Sequence, residues 1–94
     1  MSMAERIERK LHEALSPASL RIADDSESHR GHGGYREGGE THFRVEIVAA
    51  AFDGQSRVQR QRRVYEILAE ELEERVHALQ LTTLTPDEAE ARQS

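Results

Sequence analysis

Residues 41–84, THFRVEIVAAAFDGQSRVQRQRRVYEILAEELEERVHALQLTTL, change their hydrophobic period twice, and those changes decide the fold. In 41–51, Phe43, Val45 and Ile47 alternate with His42, Arg44 and Glu46, the two-residue period of a strand with one apolar face. Phe52-Asp53-Gly54-Gln55-Ser56 then reads as a tight turn. Beyond it Val64, Ile67 or Leu68, Leu72 and Val76 recur at helical spacing, which predicts one helix over about 58–75, with room for a separate short first turn. In 77–84 the period returns to two, with Leu79 and Leu81 alternating with Ala78 and Gln80. A strand, a helix and a strand in direct succession form a parallel pair joined by a right-handed crossover.

Working outward from that unit, Met3, Ile7, Leu11 and Leu15 fall on one helical stripe, and Ser2 with Glu5 forms a capping box. A first helix over about 3–15 follows, ended at Ser16 and Pro17 because proline cannot continue the hydrogen-bond ladder. Leu20 and Ile22 alternate with Arg21 and Ala23, so 19–24 reads as a short strand. One connection joins it to the 41–51 strand, so the two pair antiparallel. Downstream, Thr85-Pro86-Asp87-Glu88 opens a last helix: threonine caps, proline takes the first helical position, and glutamate stands three residues after the cap. About two turns remain before a polar tail at about 89–94. The expectation is an α+β fold of order α-β-β-α-β-α, with a three-stranded mixed sheet backed by helices, in a single domain over 1–94.

Composition narrows the chemistry. The chain has 94 residues and no cysteine, so disulfides, thiolate metal sites and thiol catalysis are excluded together, and a metal here must be held by His, Asp or Glu. A net charge of −5 argues against a general polyanion binder. The charge is unevenly spread, with Arg57, Arg60, Arg62 and Arg63 crowded together and Glu66, Glu70, Glu71, Glu73 and Glu74 after them. The opening MSMAERIERK mixes acid with base and reads neither as a secretory signal nor as a basic transit peptide. No run approaches the roughly 18 apolar residues of a membrane span. A soluble, cytoplasmic protein without a membrane partner is expected.

Between the first two strands lies a segment, 25–40, longer than an ordinary hairpin loop. Its core, SHRGHGGYREGG (28–39), holds five of the six glycines and two of the five histidines. Such a composition predicts a flexible loop, either functional or a plain linker.

THFRVEIV (41–48), FDG (52–54) followed by SRVQRQRRVYEILAEEL (56–72), and VHALQLTTLTP (76–86) together resemble the BolA family, over roughly residues 4–88. The resemblance implies a fold like the class II KH domain. It also implies a non-enzymatic partner of a monothiol glutaredoxin that shares a [2Fe–2S] cluster with it, for cluster trafficking or iron sensing. A second implied role is that of a stress-linked transcriptional regulator, for which DNA binding is proposed in the family.

Read from the residues alone, His77 is a partly buried structural histidine on the face of Leu79 and Leu81. By resemblance, the histidine of VHAL is the ligand that BolA-like proteins give to the shared cluster. For a second ligand the resemblance points to the loop, where His32 fits best and His29 follows; His42, on the polar face of its strand, reads more simply as solvated or structurally bonded. The remaining ligands come from elsewhere, a glutaredoxin cysteine with glutathione, so the isolated protein is expected to bind no cluster. Two histidines on one iron resemble Rieske ligation, which raises the reduction potential.

Two departures qualify the resemblance. Arg60-Gln61-Arg62 stands where the family frequently has RHR, and Gly54-Gln55-Ser56-Arg57 ends in arginine where a GxxG clamp needs glycine. The arginines nevertheless supply the second reading, nucleic-acid contact through Gly54, Arg57, Arg60, Arg62 and Arg63. Basic residues at a helix start and acidic ones at its end oppose the macrodipole, at about 0.3–1 kcal/mol for each exposed charge. An Arg62–Glu66 pair would recover about 0.2–0.5 kcal/mol of this. Nothing points to an enzyme: adjacent Ser28 and His29 are not a catalytic pair, and no phosphate-binding glycine loop precedes a helix.

Overall fold

The computed structural model describes residues 2–24 and 42–93. Its elements are α1 (Met3–Leu15), β1 (Ser19–Asp24), β2 (His42–Val48), a 3-10 turn (Ala50–Phe52), α2 (Arg57–Ile67), α3 (Ala69–Glu74), β3 (Ala78–Leu84) and α4 (Pro86–Gln93). The sheet order is β1-β2-β3, with β1 antiparallel and β3 parallel to β2. This is the α+β arrangement expected from the sequence, with one additional break in the long helix.

Local chemistry accounts for most boundaries. Ser2 and Glu5 form the expected capping box at α1, with Glu5 N–H donating to Ser2 Oγ at 3.1 Å. The helix closes at Ser16, whose φ of 45° is left-handed and whose N–H donates to the His12 carbonyl. Thr85 and Glu88 form the same device at α4: Thr85 N–H donates to Glu88 Oε1 at 2.8 Å and Glu88 N–H to Thr85 Oγ1 at 3.2 Å. That helix runs to Gln93, so the polar segment 89–93 is helical.

Met3, Ile7, Leu11 and Leu15 turn inward from α1 and meet Phe43, Val45 and Ile47 of β2, with Phe52, Val64, Leu68 and Val76 completing the core. Each such burial is worth about 1.5–3 kcal/mol. The strand expected over 41–51 ends at Val48, because Ala50–Phe52 winds into the 3-10 turn and carries Phe52 to full burial. The helix expected over 58–75 divides at Leu68, whose φ of −101° and ψ of 18° interrupt the helix. Neither proline nor glycine stands there. Leu68 is 1% exposed, and the short α3 after it delivers a carboxylate, Glu71, into the interior against α1.

Two charged ties supplement this small aliphatic core. Glu71, with a fully buried side chain, pairs with Arg6 at 2.8 Å and Lys10 at 2.9 Å, joining α3 to α1. Burial pushes its carboxyl up, but the Lys10 hydrogen bond, a backbone bond and the charges of Lys10 and Arg6 outweigh that and hold it below the usual range. Arg60 is buried on α2. Its Nε donates to the Gln55 carbonyl at 2.9 Å, and its Nη1 donates to the Thr83 carbonyl at 3.0 Å and Glu88 Oε1 at 2.7 Å.

The Arg60 hydrogen bond, with the Thr85 N–H beside it, pulls the Glu88 carboxyl down to about 2. A depressed carboxyl pKa means that its contribution is complete above the unfolded value near 4.5 and is lost as pH falls toward 2. Urea unfolding should therefore show Glu88→Gln less stable than the parent at neutral pH, with the difference closing near pH 2. A difference that is the same at both pH values would remove this tie from the account.

Candidate functional site

His42 and His77 stand at the same end of the sheet. β1 finishes at Asp24, opposite Phe43, and β2 begins at His42, opposite Ala78. The connection between β1 and β2 therefore departs from and returns to the end of the sheet where β3 starts. His77 immediately precedes β3 at that end. The two loop candidates, His29 and His32, lie outside the described residues.

His77 differs from the partly buried structural histidine that the strand pattern suggests. β3 begins one residue later, where pairing with His42 starts, so His77 never takes a place on the face of Leu79 and Leu81. It is exposed, and its imidazole has no partner among the described residues. The backbone beneath it is held on both sides. Val76 is 3% exposed and its N–H donates to the Glu71 carbonyl at 2.9 Å, while β3 pairs with β2 beyond. An open imidazole on a fixed pedestal can offer a nitrogen to a metal held mainly by another molecule. His42 is half-buried at the start of β2. Among the described residues, no group of three or more His, Asp or Glu side chains could hold a metal ion.

The other end of the sheet carries the turn and the arginines. Gly54 has a φ of +79°, where L side chains are strained, and the turn closes through Asp53 N–H to the Ala50 carbonyl and Gln55 N–H to the Phe52 carbonyl. Ser56 caps α2 in a box with Gln59. Arg57 and Arg62 are exposed and Arg63 is half-buried. Arg60 must be removed from the nucleic-acid set. It is 6% exposed, lies over the Phe52 ring at 5.9 Å to the centroid, and spends its donors on Gln55, Thr83 and Glu88. The Arg62–Glu66 pair does not form. No motif in 57–63 distinguishes Arg60 from its neighbours, although its spacing of four from Val64 places it on the buried face.

His77 and the arginines are not brought together. β2 and β3 are parallel, so the turn after β2 and the residue before β3 lie at opposite ends of the sheet, six strand steps or roughly 20 Å apart. A cavity of about 600 Å³ lies against the sheet, lined by Arg21, Arg44, Glu46, Gln80 and Thr82 among others, and has no described histidine in its wall.

Comparison with known proteins places this geometry. A family model described as BolA-like protein matches residues 11–88. The chain is similar to Protein BOLA1, chloroplastic, of Arabidopsis thaliana, at 43% identity over 95% of this chain and 57% of that protein, so it spans little more than half the length of that relative. It is similar to the DNA-binding transcriptional regulator BolA of Escherichia coli, at 42% identity over 99% of this chain and 85% of that one. Among solved structures, the BolA domain of SufE1 from Arabidopsis thaliana matches with a TM-score of 0.84 and 42% identity, covering 94% of this chain and 96% of that chain.

The turn gives a direct test. Gly54→Ala meets no atom within 4 Å, so its cost is that of the left-handed backbone alone, about 1–2 kcal/mol. Urea unfolding should show that loss, and Gly54→Asn should lose less because asparagine tolerates this region. Equal losses for the two variants would contradict the assignment.

Proposed function

The chain belongs to the BolA family, and from that premise we propose that it is a non-enzymatic partner of a monothiol glutaredoxin, co-ligating a [2Fe–2S] cluster for cluster trafficking or iron sensing. The observation that carries the reading is His77: exposed, without a partner among the described residues, and fixed at the sheet end where the histidine-bearing segment is anchored. His77 supplies one neutral imidazole, and His32 or His29 the second. The glutaredoxin cysteine and glutathione supply the thiolates that this cysteine-free chain lacks. The bound group is a one-electron centre whose potential histidine ligation raises. The role of the chain itself is to hold His77 rigidly and turn it outward. The cytoplasm is the compartment proposed; no helix among the described residues is long and apolar enough to cross a membrane.

Mixing the protein with a monothiol glutaredoxin and glutathione, reconstituting anaerobically and recording visible circular dichroism should give a spectrum distinct from that of glutaredoxin alone. His77→Ala should abolish the difference, and His32→Ala and His29→Ala should show which loop histidine takes part. A mixture spectrum unaltered by His77→Ala would overturn the ligand assignment.

A second reading rests on the exposed Arg57 and Arg62 beside the Gly54 turn, and on the DNA-binding name of the Escherichia coli relative. Here the chain is a transcriptional regulator reaching phosphates from the start of α2, with Arg63 at the margin. Affinity for duplex DNA should fall with salt. Arg57→Ala or Arg62→Ala should each lower the slope of log affinity against log salt by about one. Arg60→Ala should act through folding instead. No binding at physiological salt would remove this reading.

A further inference from the structure

The outer face of α2 carries features that the cluster reading does not use and that the nucleic-acid reading uses only in part. Val58 and Tyr65, 57% and 41% exposed, are the only exposed large hydrophobics among the described residues. They lie seven residues apart, two helical turns, and so project from the same side of α2. Arg57 and Glu66 flank them, both exposed and both without a side-chain partner among the described residues. Their placement opposes the helix dipole, basic at the start and acidic toward the end, and the in-helix pair that would offset it, Arg62 with Glu66, is absent.

This pattern is complementary to itself when reversed. Two α2 helices laid antiparallel, with the axis between Gln61 and Arg62, set Val58 against Tyr65 of the second copy and Tyr65 against its Val58. The same placement sets Arg57 against Glu66 twice and brings Gln61 beside Arg62 at the centre. Each misplaced charge then meets its opposite, and the two helix dipoles run antiparallel. The adjoining edge of β3 is compatible. Its sequence, ALQLTTL, has no charged residue, so bringing two copies together there apposes no like charges. Two α2 side chains already serve that edge: the Tyr65 hydroxyl donates to the Leu79 carbonyl at 3.4 Å and Arg60 to the Thr83 carbonyl, leaving Leu81 between them.

We propose that the outer face of α2, Arg57-Val58-Gln61-Arg62-Tyr65-Glu66, is a two-fold self-association surface whose occupant is a second copy of this chain. The contact is small, with two apolar anchors per copy and exposed charge pairs, and it therefore forms a weak, concentration-dependent dimer that salt loosens. It also covers Arg57 and Arg62, so dimer formation and phosphate contact at this face exclude each other.

Sedimentation equilibrium of the full chain across a concentration series tests this. The wild type should move from the mass of one chain toward that of two. Arg57→Glu faces Glu66 of its copy with like charge twice over, and Glu66→Arg does the same with Arg57, so each should weaken the dimer at least about tenfold. The two single variants mixed together should recover the dimer. The glutamate introduced in one variant then meets the arginine introduced in the other, and the remaining native Glu66 and Arg57 meet across the same interface. The double variant should recover it alone. Far-ultraviolet circular dichroism checks that each variant is folded, and recovery on mixing cannot come from repaired folding. A wild type that remains one chain at every concentration, or single variants that fail to recover on mixing, would overturn the proposal. A mass that rises only when duplex DNA is added would assign the face to nucleic acid instead.

Discussion

Because β2 and β3 run parallel, the chain has to leave the sheet at one end after Val48 and re-enter at the other before Ala78. The crossover that achieves this, α2 followed by α3, covers the sheet and separates two chemically different ends. The Gly54 turn and the arginines stand where the crossover begins. His77 stands where it ends, beside the anchors of the histidine-bearing connection. The two functional readings therefore occupy opposite poles of one element, and that follows from strand direction alone.

A domain of this size buries a smaller share of its surface than a larger one and is correspondingly marginal. The structure adds two ionic ties at helix contacts, Glu71 to Arg6 and Lys10, and Arg60 to Glu88. Buried pairs contribute little net stability, since desolvation offsets most of the attraction, but a buried charge without its partner is heavily penalised. The ties therefore select one seating of α3 on α1 and of α4 against α2. The break at Leu68 belongs to the same solution: Leu68 fills the core while α3 points Glu71 toward α1.

This use of charge sorts the arginines by role. Arg60 is consumed by the fold, holding two backbone carbonyls and a carboxylate. Arg57 and Arg62 remain at the surface, available either to phosphates or to a second α2. His77 is sorted the other way. A histidine beside leucines reads as partly buried, yet the late start of β3 leaves it outside the sheet with an open imidazole.

Much of what is settled within a few residues was legible in the sequence. The stripe of Met3, Ile7, Leu11 and Leu15, the alternation of Phe43, Val45 and Ile47, and the boxes at Ser2 and Thr85 each depend on neighbours one to four positions away, and each appears as expected. Strand order and direction followed as well, since connection type constrains them. Along the site, Gly54 and His77 stood out in the sequence, but their surroundings did not. The end of β2, the division at Leu68, the burial of Arg60 and the exposure of His77 depend on partners far along the chain. Glu71 meets residues 61 and 65 positions away, and Arg60 bonds to residues 23 and 28 positions away. Periodicity records which face of an element is apolar. Only the packed structure decides which polar group on that face finds a partner, because that choice is made between elements and not within them.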